Sequence, residues 1–390
     1  MNRNLQFSLG LLLLVIVAVL VVVLNRQPNS VAPKDTKPNN SGATRESKVR
    51  SPIKSDEEIV FYPAFGWRRG NQETPDYEIE IRGCIFEAGR HAAGVKLIRE
   101  LTGIDERQLT SEEARLFQQR AELFAVDHER DKAIPIRIGE RIHTLPKSGA
   151  NGQFEGQFII SSSDHAASAT NSSLSLRFEA VLQDGDQRIM SGSVRLFNEP
   201  PAVHVISDID DTIKISEVRD KPALLMNTFC RPFRPVPGMA DLYRSWNASD
   251  VCFHYVSASP WQLYPPLSEF IREHKFPSGP FHMKHFRLQD RTALNLFGSQ
   301  EEYKRGVIEP LLKKFPKGRF VLVGDSGEQD HKIYAGLFRD YPEQVAHIFI
   351  RNATDEPPNA FDSTFADVPK DRWQVFLEPS EINFKLKSEP

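Results

Sequence analysis

Three aspartates and a threonine follow an apolar run within Val203–Ser216, which reads VHVISDIDDTIKIS. A short apolar run bounded by turn-forming residues is typical of a buried strand. Ligands of open α/β sheets gather where the strands end. Carboxylates at such an edge suit a hard cation and a phosphate group, because Mg²⁺ takes oxygen ligands and is completed by water and substrate.

Further predicted strands in this half of the chain also end in polar residues. Ser257 follows the apolar run Cys252–Val256, and Asp325 follows Arg319–Val323. Two more runs complete the set, Phe281–Phe286 and Val345–Ile350. The intervening segments 263–274 and 301–315 have helical periodicity, and the second contains Lys304. Alternating strands and helices predict a parallel, doubly wound sheet that brings these polar side chains to one edge.

The residue types at this predicted edge suit phosphoryl transfer from a phosphomonoester. Carboxylates from separate strands can hold Mg²⁺. One carboxylate can attack phosphorus and form an aspartyl-phosphate, while a second can protonate the leaving alcohol and later activate water. A hydroxyl and an ammonium can bind phosphate oxygens. The candidates are Asp208, Asp210, Thr212, Ser257, Lys304, Asp325 and Asp330.

Five longer segments follow one another between residues 201 and 350: VISDIDDTIKIS, FRPVPGM, HYVSASPWQLYPPL, EEYKRGVIEPLL and VLVGDSGEQD. They resemble the catalytic domain of the Mg²⁺-dependent phosphatidate phosphatase family typified by actin patch protein one. Within them, Asp208–Thr212 is similar to the DxDxT signature of phosphatases in the haloacid dehalogenase superfamily. The resemblance implies a Rossmann-like catalytic domain of that superfamily.

The resemblance also implies a role for each residue of the signature. Asp208 is the expected nucleophile and a Mg²⁺ ligand. Asp210 is the expected general acid and base, with its backbone carbonyl on the metal. Thr212 is expected to orient the loop.

Four residues outside the signature also receive roles from the resemblance. Ser257 is expected to hydrogen-bond the phosphoryl oxygens, and Lys304 is the expected phosphate-binding lysine. Asp325 is the expected direct Mg²⁺ ligand, and Asp330 is expected to support the metal through water.

The segment Lys221–Met239 lies where that superfamily places a mobile flap over the site. We hypothesise that Arg231 and Arg234 bind the substrate headgroup, because guanidinium groups suit bidentate phosphate contacts. Aromatic residues of the segment would then meet acyl chains. The alternative is a proline-rich surface loop that packs on its own side chains.

His282 and His285 resemble a metal pair, but without a full ligand set they are interpreted as pocket or loop histidines.

The preceding part of the chain is predicted to be β-rich. Tyr77, Ile79 and Ile81 alternate with charged residues, which is typical of a half-buried antiparallel strand. A helix interrupts the strands, with Thr110 and Glu113 in a capping-box pattern. We expect a small sandwich-like domain with a helical insertion. Its role is open between lipid contact, partner binding and packing against the catalytic domain.

The amino-terminal segment Leu5–Leu24 is apolar and carries no charge, so it is long enough to span a bilayer. We favour a retained single-pass anchor over a cleaved signal peptide, because the residues that follow are a poor cleavage site. The side of the membrane stays open. The predicted organisation is an anchor at 5–24, a disordered linker at 25–56, a β-rich domain at 57–200 and a phosphatase domain at 201–385.

The formal net charge is −3, so no nucleic-acid partner is indicated. The three cysteines match no zinc-site spacing and are interpreted as buried or idle thiols. The sequence does not predict an oligomeric state.

The predicted function is that of a membrane-anchored, Mg²⁺-dependent phosphatase. Its expected reaction converts phosphatidate to diacylglycerol and phosphate through an aspartyl-phosphate, and its partners are a lipid phosphate and the membrane. Two alternatives stay open. One is a phosphatase for a soluble phosphomonoester, and the other is a non-enzymatic lipid- or protein-binding module on a phosphatase scaffold.

Overall fold

The computed structural model of the chain describes residues 50–70, 76–87, 89, 92–161, 164, 175–284, 300–357 and 359–386. These residues contain two β-sheets, one before and one after residue 200. Both sheets belong to one compact unit of the chain.

The first sheet has nine strands, all from the part of the chain predicted to be β-rich. Its main path has the order β1-β3-β2-β9-β8-β5-β6, and β4 and β7 pair with β3. The strands are β1 (Glu57–Phe61), β2 (Ala64–Arg69), β3 (Asp76–Glu87), β4 (Asp127–His128), β5 (Ala133–Ile138), β6 (Arg141–Lys147), β7 (Gln153–Ile160), β8 (Ser175–Ala180) and β9 (Ser191–Phe197).

Alternating burial along β3 explains how this sheet makes a core. Tyr77, Ile79 and Ile81 point inward while the residues between them stay partly exposed, as the two-residue period of a strand requires. Ile53, which lies in the predicted linker, is also fully buried in this core. The boundaries predicted for the linker and the two domains stay predictions.

Two helices are inserted between β3 and β4, namely α1 (Ala92–Thr102) and α2 (Ser111–Glu122). The predicted capping box starts α2: the Glu113 backbone N–H donates to Thr110 Oγ1 at 3.3 Å, and the Thr110 N–H donates to Glu113 Oε2 at 2.9 Å. Phe117 of α2 is fully buried, and its ring lies 6.2 Å from that of Phe229 in the second part of the chain. The helical insertion therefore packs on the second part.

The second sheet has six parallel strands in the order β12-β11-β10-β13-β14-β15. The strands are β10 (Val203–Asp208), β11 (Val251–Pro260), β12 (Phe281–Lys284), β13 (Arg319–Asp325), β14 (Val345–Arg351) and β15 (Trp373–Phe376). The helices are α3 (Lys221–Phe229), α4 (Met239–Trp246), α5 (Tyr264–Glu273), α6 (Gln300–Lys314) and α7 (Asp330–Asp340).

The central strand β10 is buried along its whole length because helices cover both faces of the second sheet. Val203 and Val205 pack with apolar residues of α4 and α5. Ile206, which points the other way, packs with residues of α6 and α7. Such a strand reads as a continuous apolar run rather than an alternating one.

Aromatic contacts join the two sheets. The ring of Tyr62 stacks on Trp261 with a centroid distance of 4.0 Å, and Phe65 lies 6.0 Å from Phe315. Arg195 of β9 donates to the backbone oxygen of Val251, at the start of β11. The first sheet therefore packs against the second both at the start of β11, where Val251 lies, and directly after its end, where Trp261 lies.

The predicted membrane anchor requires a correction. The segment Leu5–Leu24 lies outside the described residues, and none of the helices within them is long and apolar enough to cross a bilayer. The longest of these, α6, has 15 residues and charged side chains at both ends, whereas a span takes about 20 apolar residues. The fold class is therefore corrected to two sheet-containing parts of mixed α/β structure without a membrane-spanning helix in the described ranges. The localisation inferred from the anchor was wrong on the same ground.

Candidate active site

Strands β10 and β13 end side by side and bring two of the predicted aspartates to one edge. Asp208 is the last residue of β10, and Asp325 is the last residue of β13. The strands are parallel neighbours, with Ser207 paired to Val323. Asp330 begins α7, directly after the connecting turn. All three side chains are almost completely buried.

The Lys304 side chain contacts the carboxylates of this edge through its ammonium group. It lies on α6, is fully buried, and its ammonium donates to Asp208 Oδ1 at 2.9 Å and to Glu328 Oε2 at 2.8 Å. It also donates to Asp330. Burial raises the pKa values of Asp208 and Asp325, the negative charge of Asp330 raises both further, and the Lys304 ammonium only partly opposes this. The site therefore holds more negative charge than the protein compensates.

Four carboxylates in this cluster fit a divalent cation. Oxygen atoms of Asp208, Asp325, Glu328 and Asp330 lie within 4.8 Å of one another. Asp208 Oδ2 and Asp325 Oδ2 are buried and have no hydrogen-bond partner among the residues that the structure describes. A buried carboxylate oxygen without a partner is costly, and an oxygen-seeking cation such as Mg²⁺ would satisfy both.

The turn after β13 depends on Gly324. A Cβ at this position would lie 2.3 Å from Asp330 Oδ2, closer than a van der Waals contact allows. That same oxygen accepts from the Asp325 backbone N–H at 3.2 Å. The glycine therefore lets the Asp330 carboxylate lie directly against the strand end.

Asp210 occupies a second polar position, beside the carboxylate cluster. Its Oδ1 contacts Lys214 Nζ at 2.8 Å and accepts from Ser216 Oγ at 2.7 Å. Its Oδ2 accepts from Ser257 Oγ and Ser259 Oγ, both at 3.1 Å. Burial raises the pKa of Asp210, but the Lys214 ammonium and these hydrogen bonds outweigh it and bring the pKa down to about 2. Asp210 is therefore ionised at neutral pH in this arrangement.

The loop between Asp210 and α3 is organised by Asp211, which we interpret as a turn residue rather than a metal ligand. Its backbone is left-handed, with φ 56°. Its carboxylate accepts from the backbone N–H groups of Ser216, Glu217 and Val218. Thr212 is fully buried near this turn, and within the described part of the chain its hydroxyl has no hydrogen-bond partner.

The two predicted headgroup arginines lie apart from the carboxylate cluster in this structure. Arg231 is half-exposed, donates to Asn227 Oδ1 at 3.2 Å and lies 3.7 Å from a Glu113 carboxylate oxygen. Arg234 is exposed and lies 4.0 Å from Glu217. Their role in binding substrate stays a prediction.

Sequence reasoning missed four residues that complete the site: Lys214, Ser216, Ser259 and Glu328. Glu328 lies between Asp325 and Asp330 in the segment VLVGDSGEQD, and its residue type alone does not distinguish it from an ordinary turn residue. The other three contact Asp210 through a tight loop and a bulged strand end, which no spacing rule predicts. His282 lies beside His254 in the sheet, and His285 lies outside the described residues.

Comparison with known proteins identifies the segment that carries this site. Residues 203–352 match the family model described as the phosphatidate phosphatase APP1 catalytic domain. The chain is 32% identical over 195 residues to the phosphatidate phosphatase APP1 of Saccharomyces cerevisiae, covering 49% of this chain and 31% of that protein. It is 28% identical over 211 residues to the uncharacterised protein C29B5.04c of Schizosaccharomyces pombe, covering 52% and 34%.

The chain spans about a third of the length of these curated relatives. A solved Paenibacillus chitinase matches 84% of this chain and 31% of its own at 8% identity, but its TM-score of 0.14 supports no conclusion about the fold. Residues 203–352 therefore resemble the catalytic domain of the phosphatidate phosphatase APP1 family.

Proposed function

We propose that the protein is a Mg²⁺-dependent phosphatase that removes the phosphate group from a lipid phosphate such as phosphatidate. The observation that carries the proposal is the contact of Lys304 with Asp208, Glu328 and Asp330 inside the family's catalytic segment. A buried ammonium among carboxylates with two unsatisfied oxygens suits a phosphate ester and its metal together. The relative from Saccharomyces cerevisiae is named for its action on phosphatidate.

The cation would be held by Asp208 and Asp325, with Glu328 and Asp330 beside them. When bound, it would offset the charge of the phosphate group and of these carboxylates. Lys304 would bind a phosphoryl oxygen and, together with the cation, favour the ionised form of Asp208. Haloacid dehalogenase superfamily membership is part of this proposal.

The reaction that we propose has two displacements at phosphorus. A carboxylate oxygen of Asp208 forms a bond to phosphorus while the bond to the alcohol oxygen breaks, and the leaving alkoxide takes a proton from Asp210. Asp210 then removes a proton from a water molecule that attacks phosphorus, which releases inorganic phosphate and restores Asp208.

Proton supply to Asp210 needs a source, because the pKa of about 2 leaves this group ionised in the resting arrangement. Lys214 touches Asp210 Oδ1 and also donates to Ser216, which donates to the same oxygen. We propose that Asp210 takes this proton from solvent water when the anionic substrate binds beside it and raises its pKa, while Lys214 and Ser216 hold the carboxyl group in position.

The test is phosphate release by the purified full chain from phosphatidate in mixed micelles, with Mg²⁺ and then with excess EDTA. We expect release with Mg²⁺, loss with EDTA, and loss in Asp208→Asn. The control Asp371→Asn changes an exposed aspartate on a short turn of helix and should keep wild-type activity.

Two results would replace the proposal. Equal kcat/KM on glycerol phosphate and on phosphatidate would favour a phosphatase for soluble esters. Absence of phosphate release under every metal condition would favour a binding module.

A further inference from the structure

A cavity of about 210 Å³ adjoins the candidate active site. Asp210, Ser259 and Glu328 contribute polar atoms to its lining. Most of the remaining lining is apolar. We call this cavity the apolar groove, and its apolar walls include Ile98, Leu101, Phe124, Leu224, Leu225 and Leu263.

The two walls of the apolar groove come from different parts of the chain. Ile98 and Leu101 lie on α1, in the helical insertion of the first part. Leu224 and Leu225 lie on α3, in the second part. The groove therefore exists only because the insertion packs on the catalytic segment, through contacts such as Phe124 with Phe229 at 5.8 Å.

The lining indicates the shape and chemistry of an occupant. A ligand that fills the apolar groove has one end beside Asp210 and Glu328 and an apolar body along the leucines. An extended peptide would bring amide groups, which need hydrogen-bond partners when buried. A hydrocarbon chain needs none, and it is held in proportion to the apolar area that it buries.

We propose that the apolar groove binds the hydrocarbon chain of the lipid whose phosphate reacts at Asp208. This inference rests on the proposed function and deepens it by assigning chain recognition to named residues. The helical insertion then takes part in substrate binding, because α1 forms one wall of the apolar groove. Aromatic residues of the segment Lys221–Met239 were predicted to meet acyl chains, and one of them, Phe229, lines the apolar groove.

The test uses n-alkyl monophosphates with four, six and eight carbons, kept below the concentration at which they aggregate, so that no lipid surface is needed. For the full chain with Mg²⁺, kcat/KM should rise about fourfold for each methylene that enters the groove. A rise of at least tenfold from butyl to octyl phosphate is expected even if only part of the chain is buried.

Two variants change opposite walls of the apolar groove. Leu101→Trp fills it from α1, and Leu224→Glu introduces a charge on α3. Both should bring the octyl-to-butyl ratio of kcat/KM close to one. Ile189→Glu changes a residue that is 77% exposed on the first part and should keep the wild-type ratio. Circular dichroism and thermal unfolding establish that each variant is folded.

The outcomes separate this inference from the proposed function. Phosphate release that is independent of chain length in the wild type would overturn the groove assignment and leave the phosphatase intact. A wild-type ratio retained by both folded groove variants would do the same. Failure to release phosphate from any alkyl phosphate or from phosphatidate would overturn both.

Discussion

At the scale of single residues, Lys214 decides the protonation of the expected general acid. Its ammonium lies 2.8 Å from Asp210 Oδ1 and, with the hydroxyls around it, lowers the pKa of Asp210 to about 2. A carboxylate held ionised in this way cannot donate a proton until its surroundings change. We expect substrate binding to cause this change, because a second anion close to Asp210 raises the pKa of its carboxyl group.

Lys214→Met should therefore move the ionisation of Asp210 into the measurable range. Removing a cation raises the pKa of a nearby carboxyl group, and burial then raises it further. We expect a new limb in the pH profile of kcat/KM between about pH 4 and 6. The exposed Lys332→Met, on α7, serves as control. An unchanged acidic limb in Lys214→Met would show that this lysine does not set the ionisation.

Glu328 offers the second prediction at this scale. Its carboxylate belongs to the four-carboxylate cluster and accepts from Lys304. Glu328→Gln removes one negative charge and should weaken the binding of Mg²⁺ about tenfold to a hundredfold. The affinity is measured as the Mg²⁺ concentration that gives half-maximal phosphate release. Direct titration with Mn²⁺ gives a readout independent of turnover. Glu356→Gln, outside the cluster, is the control, and equal metal affinity in both variants would remove Glu328 from the site.

At the scale of elements, three neighbouring strands carry a chain of buried histidines. His204 Nε2 lies 3.1 Å from the Pro201 carbonyl oxygen, which can only accept, so that nitrogen carries the proton. His204 Nδ1 then accepts from His254 Nε2 at 3.1 Å, and His254 Nδ1 accepts from His282 Nε2 at 3.3 Å. All three rings are consistent with the neutral state.

This chain makes stability depend on pH. Burial lowers the pKa of His204 and of His282 to about 3, and that of His254 also falls. The nearby cations Arg82 and Lys314 act in the same direction, while Glu80 opposes them at His282. Unfolded histidines bind protons near pH 6.5. The unfolded state therefore binds more protons below that pH, and stability is lost as the pH falls.

We expect the free energy of unfolding to fall between pH 7 and 5, by up to about 1.4 kcal/mol per pH unit for each histidine. Replacing all three by phenylalanine should flatten this slope. Imidazole proton resonances give a second measurement in the wild-type protein. Resonances of these rings that titrate near pH 6.5 in the folded state would contradict the assignment.

The strands and helices show which parts of the candidate site could be predicted from the sequence. Asp208, Asp325 and Lys304 are found together, as their positions at strand ends and on one helix predict. The short strand Trp373–Phe376 was missed, because four residues without clear alternation give no usable period. The contacts of Lys214 and Ser259 with Asp210 depend on loop paths, which local patterns do not determine.

At the scale of the whole molecule, the two sheets are held together by an aromatic cluster. Tyr62 is buried between Trp261 and Tyr264, with ring centroids at 4.0 and 4.8 Å. The sequence predicted both parts of the chain but not this contact, because nothing in a strand pattern says which surfaces meet. The helical insertion lies beside the active site through its own aromatic contacts, those of Phe117 and Phe124 with Phe229.

Trp261→Ala should lower the free energy of unfolding by about 2 to 3 kcal/mol, since the ring is partly buried and stacked. Urea unfolding followed by fluorescence and by circular dichroism measures this loss. If the sheets unfold together, both probes give one transition in the wild type. Ile189→Ala, at a 77% exposed position, should have almost no effect, and an equal loss in both variants would argue against the contact.

The central claim is that Asp208 carries the phosphoryl group during turnover, beside carboxylates that share a cation. The most direct measurement is mass spectrometry of the full chain after brief reaction with phosphatidate and Mg²⁺ and an acid quench. We predict a hydroxylamine-sensitive phosphate on Asp208 that forms transiently in the wild type and is absent from Asp208→Asn, because Asp208 supplies the attacking oxygen. Phosphate release without phosphorylation of Asp208, or a phosphoryl group on another residue, would contradict the account.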